Sequence, residues 1–437
     1  MTIMDMLIIV LGLLMLLVLT LKKVPVSLAA LISVVTIIIF SNMPVLGSLS
    51  DSYLEGFASF MKSSWLMILL GAVLSKLMDM TGAARAIATF IINFLGEKRA
   101  IPSIILAGGL LAYGGVSSMV ACFALYPIAL AIFRKADLPR YLLPAAIGAG
   151  IFTWVTMLPG NPSVVNIVPI SYLGTTAMAA PAIGIICALV TLILSVVYFE
   201  FETGKARKRG IGFQADDETE RILAQADELE ASGKVPNPIL SILPVVCIAV
   251  VLNIFNADIA VALLSGIVLC FVLFYKNIHN MKDSMLEATN SAAVTMINAC
   301  SIVGIGSVIK AAPGFQKIVD FVLNFSQSGG NPLIIFGIAT TVLCGLNASG
   351  MGGLSTTLSA LGEAFLAMGV NPEILHRVGV IAATGLDSLP HSGGIVAVLT
   401  ISGVSYKDGY RHLFMVTVVF TLMALAIAVV LGNITGF

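Results

Sequence analysis

Long apolar runs broken by short polar stretches make up most of this chain. Residues 6–21, 24–40, 239–252 and 261–275 are almost continuously apolar. Each approaches the roughly 20 residues that cross a bilayer as a helix. The pattern predicts crossings at 5–21, 24–41, 64–80, 140–172 and 180–200, then at 238–254, 258–275, 294–311, 374–405 and 410–432. Two further segments fit differently. Residues 101–133 are interrupted at 113–118, and two full spans would need about 40 residues. A re-entrant hairpin is predicted there, with a counterpart at 331–369 broken at 347–353. Residues 84–95 and 315–325 read as amphipathic helices lying along the membrane surface.

The pattern occurs twice. Asp51, Ser52, Leu54 and Glu55 recur as Asp283, Ser284, Leu286 and Glu287. Ser75 and Gly82 recur as Ser307 and Gly314, and Leu158-Pro159 recurs as Leu389-Pro390. Phe90, Asn93 and Phe94 recur as Phe321, Asn324 and Phe325. Two copies of one hydrophobic plan are the mark of a secondary transporter built from repeats.

Composition agrees. Of 437 residues, 58% are hydrophobic and 11% charged, against about 25% charged in soluble domains. The expected fold is an all-α polytopic membrane protein. Zero net charge leaves no basic surface for nucleic acid. The first helix does not read as a signal peptide, because its basic pair Lys22-Lys23 follows the apolar run. The six cysteines lie in apolar segments with no CxxC pair and read as small buried hydrophobes. No metal or cofactor site is expected.

Loop charge sets the sidedness, since basic loops face the cytoplasm. The first half carries Lys22-Lys23, Lys98-Arg99 and Arg134-Lys135-Arg140 on one side. The second half carries Lys276, Lys282, Lys407 and Arg411 at the opposite ends of its crossings. The copies are therefore expected to be inverted, with an odd number of crossings each. Both termini fall outside and a charged, water-exposed linker at 201–237 falls inside. The expected domains are scaffold 1–80, arm 84–95 and transport 101–200, then scaffold 238–311, arm 315–325 and transport 331–432.

Candidate chemistry sits at four irregular stretches: YGGVSS (113–118), TMLPGNPSVVN (156–166), NASGMGGLSTT (347–357) and DSLPHSGG (387–394). Gly and Pro at membrane depth free backbone groups, which is tolerated only inside protein or beside a wet cavity. Half-helix N-termini favour anions, and exposed carbonyls hold cations. The expected substrate contacts are Ser117, Ser118, Asn161, Ser163, Asn166, Asn347, Ser349, Ser355, Thr356 and Ser392. Asp387 and His391, ionisable groups at depth, are expected to couple a proton or ion, with Glu363 a third candidate. The counterpart of Asp387 is Thr156, so this site is not duplicated. Lys76, Asp79 and Lys310 are expected at helix ends, snorkelling to the interface. His376 and Arg377 are expected at the outer surface.

At LPGNPSVVNIVPISYLGTT (158–176) and GLDSLPHSGGIVAVL (385–399), and in DSYLEGF and SGMGGLS, the chain resembles the gluconate:proton symporter (GntP) family of the ion transporter superfamily. The likeness covers nearly the whole chain. It implies uptake of a small hydroxycarboxylate or sugar acid across the cytoplasmic membrane, H⁺ or Na⁺ coupling, and homodimers moving by an elevator mechanism. The chain departs from the gluconate permeases at Gly160-Asn161-Pro162, where a His between prolines is expected. This points to smaller acids such as hydroxybutyrate, or to citrate. A cation/proton antiporter is the alternative. No HExxH motif and no Ser–His–Asp arrangement suggests an enzyme.

Overall fold

The computed structural model describes residues 3–22, 24–96, 99–217, 219–224, 236–278, 280–315, 317, 320, 324, 328, 330–390 and 392–435. Among them every regular element is helical. The first half runs α1 (Ile3–Leu21), α2 (Val26–Phe40), α3 (Val45–Ser48), α4 (Glu55–Met80), α5 (Ala83–Leu95), α6 (Ala100–Tyr113), α7 (Ser118–Lys135), α8 (Leu143–Ile151), α9 (Trp154–Met157), α10 (Val164–Leu173) and α11 (Pro181–Lys208). The second half runs α12 (Pro238–Asn253), α13 (Ile259–Phe274), α14 (Met281–Ala311), α15 (Pro332–Asn347), α16 (Gly350–Ala367), α17 (Pro372–Ala383), α18 (Gly393–Ser402), α19 (Tyr406–Phe414) and α20 (Phe420–Thr435). The order of long, paired and broken helices repeats.

Local sequence explains the boundaries. Pro occupies the first turn of α11, α12, α15 and α17, where its missing N–H costs nothing. Asn237, Asp258, Asn331, Asn371 and Ser405 cap helix starts through their side chains. The expected hairpins form as α6–α7 and α15–α16, turning at the Gly-Ser stretches. Ser117 and Ser349 cap the second arm of each. Among the described residues six helices are long and apolar enough to cross a membrane, α7 among them.

Two expectations need correction. The helices expected at 64–80 and 294–311 begin earlier than those bounds. Helical structure runs unbroken from Val45 to Met80, through a wide turn at Leu49–Leu54, and from Met281 to Ala311. The repeated acidic segments at 51–55 and 283–287 thus start helices instead of loops. Nor is the linker wholly solvated. α11 continues through Lys208, and residues 212–223 dock on the α7–α8 connection. Phe213 N donates to Asp137 Oδ1 at 2.8 Å, Arg140 Nη1 meets Asp216 Oδ2 at 2.8 Å, and Leu223 is buried. Hydrogen bonds from Thr219 and Arg140 hold the Asp216 carboxyl well below the usual carboxylate range. The charged stretch 225–235 and most of 315–325 lie outside the described residues.

α4 and α14, one from each half of the chain, pack along each other and run antiparallel. Gly56 at the start of α4 lies against Ser307 near the end of α14, so closely that any side chain would collide. At the other end Lys76 Nζ meets Glu287 Oε2 at 2.6 Å. Two apolar cores flank this pair. One surrounds α6–α8 and accepts Ile395, Val398 and Leu399 of α18. The other surrounds α15–α17 and accepts Met157, Leu173 and Ile183. Each broken helix of one half therefore completes the core of the other.

Candidate functional site

The first break begins where α8 ends at Ile151. Thr153 Oγ1 donates to Ala149 O, and Thr156 Oγ1 to Thr153 O at 2.6 Å. After the single turn of α9, Leu158 to Ser163 is irregular. Its backbone groups are then satisfied one by one. Asn161 Nδ2 donates to Val155 O at 2.8 Å, and Asn161 Oδ1 accepts from Ser163 N at 2.7 Å. Gly160 N donates to Ala177 O at 2.9 Å, and Asn253 Nδ2 of α12 donates to Gly160 O at 3.1 Å. Tyr113 Oη donates to Pro159 O at 3.2 Å. The break is held open by named donors, as its depth requires.

His376 and Arg377 are the largest departure from the sequence reading. Both are completely buried, not at the outer surface. Arg377 Nε donates to Ala179 O at 2.9 Å, Nη1 to Met157 O at 3.2 Å and Asn166 Oδ1 at 3.0 Å, and Nη2 to Ala177 O at 3.2 Å. His376 Nδ1 lies 2.7 Å from Thr175 Oγ1, and its Nε2 lies 3.3 Å from Asn166 Oδ1. A guanidinium offers five donors in a rigid fork, and here it supplies the donors that an unwound backbone lacks. The clue in the sequence was an arginine inside an apolar run, since ionisable groups at depth are rare and partnered.

A cavity of about 400 Å³ lies at the centre of the breaks. Ser117 and Ser118 of the first hairpin tip, Thr156, Asn161 and Ser163 of the first break, and Asp387 of the second break line it. Ser117 is tied to α4, accepting from and donating to Ser75 Oγ at 2.9 Å. The Ser163 hydroxyl is buried and has no protein partner, so it is free for a ligand. The N-termini of α7 and α10 open onto the cavity, placing positive dipole ends there. Asp387 is the one ionisable side chain among the described lining residues. Ser388 Oγ donates to its Oδ1 at 3.0 Å, and a Cβ on Gly350 would stand 3.1 Å from its Oδ2. Ser291, Thr295 and Thr384 also line the cavity and were not singled out from sequence.

The other candidates lie elsewhere. Asn166 is buried beside Arg377, its amide spent on Asn161 O and Ala177 O. Ser349 caps α16, and Thr356 Oγ1 bonds Gly352 O and Ile302 O. Ser355 is buried with its hydroxyl unpartnered, and Ser392 is buried at the start of α18. None of these five lines the 400 Å³ cavity. Glu363 is highly exposed and pairs with Lys310 at 2.8 Å. His391 and the side chain of Asn347 lie outside the described residues.

A bundle of membrane-length helices around paired hairpins, paired breaks and a central cavity defines a multi-pass membrane transporter. The sequence model of the citrate transporter family matches residues 2–289, and the chain belongs to that family. It is 31% identical to the uncharacterised transporter YxjC of Bacillus subtilis, over 90% of this chain and 91% of that one. It is 24% identical to the high-affinity gluconate transporter of Escherichia coli, over 90% of each chain, which bears out the resemblance read from the motifs. The fold is also shared with Neisseria gonorrhoeae MtrF, described with a class of antimetabolite efflux pumps. There the TM-score is 0.53 at 14% identity, over 89% of this chain and 84% of that one.

Proposed function

We propose that the protein is a secondary active transporter importing a small organic anion with H⁺ or Na⁺. The substrate is a hydroxycarboxylate or sugar acid of the size of hydroxybutyrate, gluconate or citrate. The observation that carries this reading is the 400 Å³ cavity in which two helix N-termini and several hydroxyls face one carboxylate, Asp387. An anionic substrate beside an ionised Asp387 would be repelled. With a proton or Na⁺ at Asp387 that repulsion is removed, so a monocarboxylate enters with its ion as a neutral pair and a more highly charged acid with its charge reduced by one, which is coupling. The hydroxyls of Ser163, Ser117 and Ser118, at the starts of α7 and α10, hold the substrate carboxylate, and Asn161, bonded to Val155 O and Ser163 N, shapes the break around it.

The antiparallel packing of α4 on α14 supports inverted repeats. The scaffold is 1–80 and 238–311, and the moving part is 101–200 and 331–432, with 84–95 and 315–325 as arms. Alternating access then moves one part against the other around the site. The transporter works as a homodimer in the cytoplasmic membrane with both termini outside. Purified protein in liposomes is expected to accumulate at least one labelled acid from a panel of gluconate, hydroxybutyrate, lactate and citrate under an inward H⁺ or Na⁺ gradient. Uptake of none of them under either gradient would overturn this reading.

A cation/proton antiporter is the second reading. It is favoured by the absence of any Lys, Arg or His among the described lining residues. Proton release on adding Na⁺ without organic substrate would select it.

A further inference from the structure

A second cavity of about 480 Å³ adjoins the first, at the end of the bundle carrying the 253–259 loop. Its polar lining includes Ser63, Ser171, Thr176, Asn253, Asn256 and Asp258. Asn253 Oδ1 there is buried without a protein partner. Three helices line both cavities in order along their lengths. On α4, Ser63 and Ser64 face the second cavity, whereas Ile68, Gly71 and Ala72 face the first. On α10, Ile167 and Ser171 face the second, and Val164 and Val165 the first. On α13, Ile259 faces the second and Leu263, one turn on, the first. Residues three or four apart share a helix face. The two cavities are therefore successive stretches of one seam between α4, α10 and α13.

One described residue lines both: Met67. It is buried, 5% exposed, and belongs to the apolar core around α6–α8. Methionine is unbranched and turns about three side-chain bonds, so it can clear a passage without moving backbone. We infer that the second cavity is the vestibule through which the transported anion reaches the central site, and that the Met67 side chain is the gate between them. The vestibule side offers hydroxyls and amides that replace water around a carboxylate, and its one carboxylate among the described lining residues, Asp258, is engaged as the cap of α13, accepting from Ala260 N at 2.7 Å. The gate then sets the girth of what passes. This inference adds a route to the uptake reading and rests on it for the identity of the cargo, but its test uses no substrate.

Thiol labelling in sealed membrane vesicles tests it. Gly71 lines the central cavity, and a Cβ there meets nothing within 4 Å, so Gly71→Cys places a thiol at no steric cost. Ser171 is exposed in the vestibule, and Ser171→Cys marks that face. Five of the six native cysteines are buried, so Cys247→Ser gives a quiet background. A small membrane-impermeant methanethiosulfonate is expected to modify Gly71→Cys from the face that modifies Ser171→Cys. Met67→Ala should raise the Gly71→Cys rate about tenfold, one step of about 1.4 kcal/mol in barrier. Met67→Phe should lower it. Neither should alter the Ser171→Cys rate, which reports an intact fold. Modification of Gly71→Cys only from the opposite face, or no modification at all, would overturn the inference. A Gly71→Cys rate indifferent to Met67 while Ser171→Cys still reacts would do the same. Failure to find a transported acid would leave these rates untouched, so the two readings fail separately.

Discussion

Arg377 Nη1 and Asn166 Oδ1 meet at 3.0 Å in a fully buried contact across 211 residues of sequence. The same guanidinium holds carbonyls of Met157, Ala177 and Ala179, so one side chain of α17 fixes both ends of the first broken segment. Removing it orphans the buried carbonyls of Met157 and Ala179, each at a cost of about 1–3 kcal/mol, whereas Ala177 O keeps Gly160 N and Asn166 Nδ2 as donors. Arg377→Met is expected to lower the melting temperature sharply in detergent. Arg377→Lys should recover only part of the loss, because an ammonium cannot reproduce the planar fork. Equal melting temperatures for all three proteins would show that the fork does not hold the break.

Gly160 tests the same segment from the side of α12. Its φ is +70°, and an added Cβ would stand 2.8 Å from Asn253 Oδ1. Gly160→Ala therefore meets two penalties, the left-handed backbone at about 1–2 kcal/mol and a collision with Asn253. Asn253→Ala removes only the second. The double variant is expected to be more stable than additivity predicts, giving a coupling of about 0.5–3 kcal/mol. Strict additivity in chemical or thermal unfolding would mean that the Asn253 side chain yields freely.

Most of the fold was legible because its signals are local. Apolar run length set most of the long helices, and Gly-Ser and Pro stretches set the turns and breaks at 113–118, 156–166, 347–353 and from 387. What failed was long-range. The burial of Arg377 is hidden in the sequence because its acceptors, Met157 to Ala179, lie about 200 positions away. The docking of 212–223 on Asp137 and Arg140 was missed for the same reason, since charge alone marked that stretch as solvated. The candidate site was half legible. Ser117, Ser118, Asn161, Ser163 and Asp387 do meet at one cavity. Chain symmetry suggested that the second hairpin tip would join them equally, but Ser349 and Thr356 are committed to helix capping and backbone bonds. Symmetric sequence motifs need not share one cavity.

Asp387 carries the coupling in the proposed function. Asp387→Asn keeps the shape and hydrogen-bonding capacity near Ser388 and Gly350 but cannot bind a proton or balance Na⁺. Gradient-driven accumulation is expected to collapse toward equal concentrations inside and outside. Exchange of labelled for unlabelled substrate should persist, since the hydroxyls and helix N-termini remain. Undiminished accumulation by the variant would move the coupling site away from this residue.

Glu363 should behave differently. It pairs with Lys310 at an exposed position and does not line the central cavity. Exposed pairs contribute about 0.2–1 kcal/mol at most. Glu363→Gln is expected to shift the melting temperature little and to leave the ion dependence of uptake unchanged. A changed ion requirement would restore Glu363 as a coupling carboxylate.

The docked linker supplies a pH prediction outside the membrane. Asp216 accepts from Thr219 N at 2.9 Å and from Arg140 Nη1 at 2.8 Å, which hold its carboxyl below the usual range. Its proton affinity is thus lower docked than free, and protonation favours release. Docking strength from this group is complete above the ordinary aspartate value of about 3.9. It is lost as pH falls from there through the depressed docked value. Amide exchange at Phe213 and Thr219, corrected for the intrinsic pH dependence of exchange, reads the docked state directly. Wild-type protection should hold steady from pH 8 to about pH 5 and decline in acid below the ordinary aspartate range. Asp216→Ala should lower protection at both amides severalfold near neutrality, with the gap from wild type closing in acid. A gap that stays constant into acid would mean that Leu223 burial and the Asp137 contact, not the Asp216 charge, hold the strap in place.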